Sequence, residues 1–351
     1  MSTSFPPELE IDFLTDGGQQ ADAVVDRLVA FLDAATRSLE VAIYDFHAAA
    51  GTTARIAEAL ERSERRGVAV RVAFNVERPR HTSPKPMQAD PAQIDGLDVP
   101  TRAVRGDGTL MHHKYVVRDA RTVWTGSTNW TDDSFSREEN VIVRVEEPTI
   151  AAAFASNFEQ MWTSGSVESS GGASEPAVLP DGTRVRAYFS PRGPSLSHVV
   201  ATQIGAIRRR LRVLSPVLTS GPILGTLAEL AGRDSLDVSG AFDATQMDEV
   251  VEQWQDVPDN HWKIGAWDAI VPRLVGKRST PYAEGSTHDY MHAKAVIVGD
   301  DVLTWSFNCS RHGEDNAENV VHITSQSAAD RFTGFADAVV ARLRVAGGAR
   351  A

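Results

Sequence analysis

The chain contains one arrangement of polar residues written twice, and that duplication limits its fold more than any other feature. Met111-His112-His113-Lys114-Tyr115-Val116-Val117 is followed by Ser127, Asn129 and Glu139-Asn140-Val141. About 180 residues later, Met291-His292-Ala293-Lys294-Ala295-Val296-Ile297 is followed by Ser306, Asn308 and Glu318-Asn319-Val320. Self-similarity at a fixed spacing marks a duplicated unit. Two copies are too few for a solenoid, and each is large enough for a core of its own. The expected assembly is a pseudo-twofold pair whose equivalent segments face each other. One composite site would then receive a His and a Lys from each half.

Hydrophobic patterning carries the repeat upstream. Val24, Val25, Leu28, Phe31 and Leu32 predict an amphipathic helix over 20–37. A buried strand over 39–46, a helix over 53–66 stopped by Gly67, and a strand over 68–74 follow. The second half repeats this order, with a helix over 196–210, a strand over 211–218, a helix over 222–232 and a strand over 236–242. Such alternation predicts parallel pairing through right-handed crossovers. The expected fold class is α/β: two tandem domains related by a pseudo-twofold, each a mainly parallel mixed sheet flanked by helices. Their expected bounds are 1–165 and 184–351, joined by a linker at 166–183 that contains Ser169-Ser170-Gly171-Gly172.

Composition removes several classes. A single cysteine, Cys309, excludes an internal disulfide and any Cys-based zinc site. No apolar run is long enough for a spanning helix, and the first residues lack the pattern of a secretory signal, so a cytoplasmic location is expected. The net charge of −12 disfavours a polyanion over the whole surface but permits a local cationic cleft.

In strand conformation His112 and Lys114 share a face, as do His292 and Lys294. Asn129 and Asn308 would add amides, with Ser127 and Ser306 beside them at the substrate. Two histidines, two lysines and two amides suit a compact anion, and phosphate is the first choice. A neutral imidazole can attack phosphorus while a protonated one supplies the leaving oxygen with its proton. The lysines would neutralise the equatorial oxygens. Glu139 and Glu318 have a matching task at the other ring nitrogen of each histidine. No metal or cofactor is expected, because nothing is spaced to complete a ligand set with His112-His113. The stretch 77–91, with Arg78, Arg80, His81 and Lys85, is read as a loop over the site or a surface segment. Arg208-Arg209-Arg210 is expected to close a helix.

His112-x-Lys114-x4-Asp119, Gly126-Ser127-x-Asn129 and Glu139-Asn140 together resemble the HKD motif of the phospholipase D superfamily. The second copy, with Ser306-x-Asn308 and Glu318-Asn319, is similar. Phe158–Trp162 and Tyr188-Phe189-Ser190-Pro191 also look like segments of its compact bacterial members. The resemblance implies a metal-independent phosphodiesterase working through a phosphohistidine. It implies His112 as nucleophile and His292 as general acid, with Lys114, Lys294, Asn129 and Asn308 on the phosphate. Glu139 and Glu318 would orient the histidines. Two departures stand out: Gly299 falls where the motif has Asp, with Asp300 one residue late, and Trp305 replaces Gly126 and is expected to narrow the pocket. The superfamily cleaves phospholipids, joins them into cardiolipin, cuts nucleic acid and hydrolyses other diesters. Short halves without membrane helices lean the substrate toward nucleic acid, with phospholipid head groups as the alternative and a non-catalytic phosphate-binding scaffold as a third reading. No obligate protein partner is implied. Whether water or an alcohol completes the reaction is left open.

Overall fold

The structure, a computed structural model, describes residues 8–49, 51–76, 91–283 and 285–348. In the first half, β1 (Leu9–Leu14), β2 (Ser38–Ile43), β3 (Ala69–Asn75), β4 (Thr101–Val104), β5 (Lys114–Arg118), β6 (Thr122–Gly126) and β7 (Asn140–Glu146) form one sheet. Its order is β1-β7-β6-β5-β2-β3-β4. The second half contributes β8 (Gly172–Ala173), β9 (Ala177–Val178), β10 (Arg184–Phe189), β11 (Arg210–Ser215) and β12 (Asp237–Asp243). It continues through β13 (Leu274–Lys277), β14 (Ala295–Val298), β15 (Asp301–Trp305) and β16 (Asn319–Thr324). The order is β13-β12-β11-β14-β15-β16-β10-β8, with β9 also on β10.

The mixed α/β class matches the expectation, and the parallel pairs fall in the strand–helix–strand runs: β2–β3–β4 and β11–β12–β13. The motif strands join antiparallel, β5–β6–β7 and β14–β15–β16; between β5 and β6, and between β14 and β15, turns of two or three residues allow nothing else. Leu39, Val41 and Ile43 of β2 bury one face under the helix Ala21–Asp33, while Ala42 faces the other way. Leu211 and Val213 of β11 do the same in the second half, with Leu214 opposite. Each sheet is therefore apolar on both faces, which requires cover on both.

The inner faces share one core. Two helices, Pro148–Ser164 and Gln326–Gly348, fill it. Phe154 of the first meets Phe189 of β10 at 4.8 Å, and Phe335 of the second stacks on Phe13 of β1 at 4.5 Å. A buried Phe contributes about 1.5–3 kcal/mol, so this shared core holds the two halves in one fixed relation. Among the described residues no helix is long and apolar enough to cross a membrane.

The connection between the sheets is more than a tether. β8 and β9 both pair with β10, and Val167, Ser170, Ala177 and Leu179 are buried. Gly171, at φ +142°, lies so close to the Arg192 backbone that a Cβ would sit 2.4 Å from its nitrogen. The helix expected over 196–210 ends at Gly205, and Arg210 opens β11 instead of closing that helix. Asp119 sits at φ 56°, where its carboxylate accepts the N–H groups of Thr36, Arg37 and Ser38. Gly299 makes the equivalent turn at φ 62° without a side chain. Left-handed backbone costs a non-glycine residue about 1–2 kcal/mol, so the first copy needs this cap and the second does not. Trp305 does not narrow a pocket: it alternates away from Ser306 into the second half's own core, near Phe307.

Candidate functional site

The two motif segments meet where the halves touch. Met111, just before β5, bridges to Ala317, and Met291, just before β14, bridges to Glu139. The N–H of Met111 donates to Asn75 Oδ1 at 2.8 Å, and that of Met291 to Asp243 Oδ2 at 3.0 Å. Asn75 and Asp243 end the parallel strands β3 and β12, so each sheet anchors its own motif. Lys114 Nζ then donates to His112 O at 2.7 Å, and Lys294 Nζ to His292 O at 3.0 Å. All four side chains are nearly or wholly excluded from solvent.

Each histidine is oriented by the opposite half, but not by equivalent groups. His112 Nδ1 donates to Glu318 Oε2 at 3.0 Å, with Oε1 also within ion-pair distance. His292 Nδ1 donates to the amide oxygen of Asn140 at 3.1 Å, with Glu138 Oε2 behind it at 3.6 Å. The Asn140 amide is fixed by its own bonds, since Nδ2 donates to Ser134 O and Glu138 Oε2, which leaves Oδ1 as the acceptor. With both Nδ1 atoms protonated, both Nε2 atoms carry the lone pair. The Ser127 and Ser306 hydroxyls, expected at the substrate, donate instead to Asn140 Oδ1 at 2.7 Å and Glu318 Oε2 at 2.6 Å.

Glu139, expected to hold a histidine, does not. It ion-pairs with Lys277 at 2.8 Å and with Arg342. The cause is register. β6 pairs Gly126 with Ile142, whereas β15 pairs Trp305 with Val320. Asn140, and not Glu139, thus occupies the place of Glu318, and one residue of displacement along a strand turns the side chain to the opposite face. The Glu-Asn dipeptide present in both copies concealed this. Asn140 and Glu138 could have been suspected only from Glu138-Glu139-Asn140 offering three polar candidates in a row.

Asn129 and Asn308 each have a buried Oδ1 with no hydrogen-bond partner. Tyr44, unforeseen, closes one wall, with its ring 4.5 Å from that of His112 and 4.7 Å from Lys114 Nζ. His113 turns from the site to donate from Nδ1 to Asn319 Oδ1 at 3.1 Å, and burial lowers it to about 4. The segment 77–90 lies outside the described residues. Among the described residues no group of three or more His, Cys, Asp or Glu side chains is disposed to hold a metal.

Burial dominates the electrostatics. It pushes His112 and His292 well below the usual imidazole range, and Lys114 and Lys294 add to the effect. Lys294 is drawn down to about 7 by burial, against the pull of Glu138 and Glu318. Glu318 is raised to about 7, again by burial, with Lys114 opposing. Four potential cations in a dry cleft are poorly solvated until an anion arrives, so the site favours binding of negative charge.

Residues 28–162 match a family model described as cardiolipin synthase, PLD-like domain. Over 144 residues the chain is 35% identical to the mitochondrial cardiolipin hydrolase of Xenopus laevis, covering 40% of this chain and 62% of that protein. Residues 28–162 thus carry a phospholipase D-like domain. It spans less than two thirds of the length of the curated relatives it matches. Likeness in fold to solved structures extends across both halves. Phosphatidylserine synthase of Haemophilus influenzae superposes on 91% of this chain and 83% of its own, with a TM-score of 0.65 at 13% identity. Polyphosphate kinase of Porphyromonas gingivalis covers 93% of this chain with 46% of its own, at a TM-score of 0.58 and 10% identity. These two likenesses concern fold, which does not choose a chemistry.

Proposed function

We propose that the chain is a phosphodiesterase that cleaves the head-group diester of a phospholipid without a metal, through a phosphohistidine. The observation that carries this reading is the pair of buried histidines, each held at Nδ1 from the opposite half, with two buried lysines beside them. The diester would lie between Lys114, Lys294, Asn129 and Asn308. His112 Nε2 attacks phosphorus, the P–O bond to the leaving alcohol breaks, and protonated His292 supplies that oxygen with a proton. His292, now neutral, takes a proton from water as its oxygen displaces His112 from phosphorus. The carboxylate on His112 favours it as the nucleophile, since Glu318 compensates the positive charge that forms on the ring.

The choice of lipid over nucleic acid reverses the lean taken from the sequence. The curated relatives bear the name cardiolipin hydrolase, and the chain carries a net charge of −12. Exposed arginines such as Arg55, Arg62, Arg66 and Arg278 are already paired with aspartates, leaving them little to offer a polyphosphate backbone. Residence in the cytoplasm, and division into domains at 166–183, belong to the same proposal. EDTA-treated protein should release phosphatidic acid from cardiolipin or phosphatidylglycerol micelles and leave single-stranded DNA intact. Cleavage of the DNA with steep loss at high salt, and none of the lipid, would return the substrate to nucleic acid.

The pH profile of kcat/KM follows from two opposed shifts. Glu318 must be ionised to hold His112, and its rise to about 7 makes activity fall as pH drops below that value. Lys294 must be charged to bind phosphate, and its descent to about 7 makes activity fall as pH climbs above it. A narrow bell centred near neutrality is expected, and a flat profile from about pH 5 to about pH 9 would refute it.

A further inference from the structure

The two histidines have unequal partners, and the difference lies outside the repeated motif. Glu318 gives His112 both orientation and negative charge in one side chain. At His292 these tasks are divided. The neutral Asn140 amide makes the hydrogen bond, and Glu138 lies one step behind at 3.6 Å from Nδ1. Glu138 Oε2 accepts from Ser134 Oγ and from Asn140 Nδ2, both at 2.9 Å, so its distance from the ring is fixed by two bonds. It is almost wholly buried, and at the equivalent place before Glu318 the second half has the neutral Asn316.

We infer that Glu138 is a positioning residue for the general acid: it locks Asn140 against His292 and supplies the negative charge that lets this imidazole carry a proton inside the site. This rests on the two-histidine reading above. An amide alone would orient His292 but do nothing for its charged form. A carboxylate one step removed satisfies both needs, and leaves His292 the better acid and His112 the better nucleophile. The groups facing Glu138 agree with a buried charge that must be balanced. Lys294 from the second motif and Lys277 from β13 face it, Lys114 and Tyr290 feel it, and burial raises it to about 7.

The test compares a diester that needs an acid with one that does not. Dioleoyl phosphatidylglycerol has an alkoxide leaving group, whereas bis-p-nitrophenyl phosphate has a stabilised phenolate. Glu138→Gln should lower turnover of the lipid roughly 10²-fold, as loss of general acid assistance does, and leave the nitrophenyl diester within about threefold. The alkaline limb of the lipid profile should move down by about one pH unit. The double variant E138Q/N140D, which moves the carboxylate to the position that contacts His292, should recover most of the lipid activity. Equal losses on both diesters in Glu138→Gln, or a double variant no better than the single one, would overturn the role of Glu138. His292→Ala separates this from failure of the parent reading. If His292→Ala loses lipid turnover but still releases a burst of about one nitrophenolate per site, and Glu138→Gln is not selective, only Glu138 is misassigned, whereas undiminished lipid turnover in His292→Ala would overturn both.

Discussion

Replacing His112 by Ala is expected to abolish turnover, with a loss of roughly 10⁴–10⁶-fold in kcat, the range seen when a nucleophile is removed and binding groups remain. The argument is geometric. His112 Nδ1 is occupied by Glu318, so Nε2 is the ring atom left to react, and the depressed basicity imposed by burial and by Lys114 and Lys294 keeps it neutral. A neutral Nε2 is ready to attack phosphorus without first losing a proton. The converse variant gives positive evidence. In His292→Ala, bis-p-nitrophenyl phosphate should still phosphorylate His112, because its leaving group departs without help, while water is no longer activated to remove the adduct. Intact mass should show one nitrophenyl-phosphoryl adduct, stable to base and labile to acid, that maps to His112. Equal residual turnover in the two alanine variants with the adduct on neither histidine would sink the covalent route, and an adduct on His292 would exchange the two roles.

Glu318→Gln should separate activity from stability. Activity should fall roughly 10²–10⁴-fold, because an amide cannot compensate the charge that forms on His112 and no longer enforces its tautomer. Stability should move the other way. The carboxyl is wholly buried and its pKa in the fold is raised to about 7 from an ordinary 4.5, chiefly by burial. A raised carboxyl favours the folded state fully below its unfolded pKa and loses that contribution as pH rises through the folded value. Above about 7 the wild-type chain therefore bears the cost of an ionised, buried group that glutamine avoids. The variant should be more stable by roughly 2–3 kcal/mol at pH 8 and nearly unchanged at pH 5. Thermal melts at the two pH values decide it. A lower Tm at pH 8 would mean that the ion pairing of Glu318 outweighs its desolvation.

Much of this molecule was readable before any coordinates. The helix carrying Val24, Val25, Leu28, Phe31 and Leu32 formed where periodicity placed it, because those residues can be buried only on one stripe. His112 and Lys114 share a face with the equivalent pair because strand alternation is a local property. Strands β1 and β10 lie outside the expected elements although both alternate, as Leu9-Glu10-Ile11-Asp12-Phe13 and Arg184-Val185-Arg186-Ala187; they pair with β7 and β16. Ser127 and Ser306 turn their hydroxyls to the groups that orient the histidines, since a hydroxyl on a strand end can face either way.

The sequence by itself determined the duplicated α/β plan and the identity of the two histidines, two lysines and two asparagines. Those conclusions depend on order, spacing and residue chemistry, which are properties of the chain. Only the tertiary structure decided which group meets which histidine. The choice of Asn140 and Glu138 over Glu139 depends on how β7 registers against β1 and β6, and a single step there exchanges the faces of the sheet. The charge state of the site was equally a matter of folding, because the desolvation that shifts His112, Lys294 and Glu318 exists only once both halves close over them.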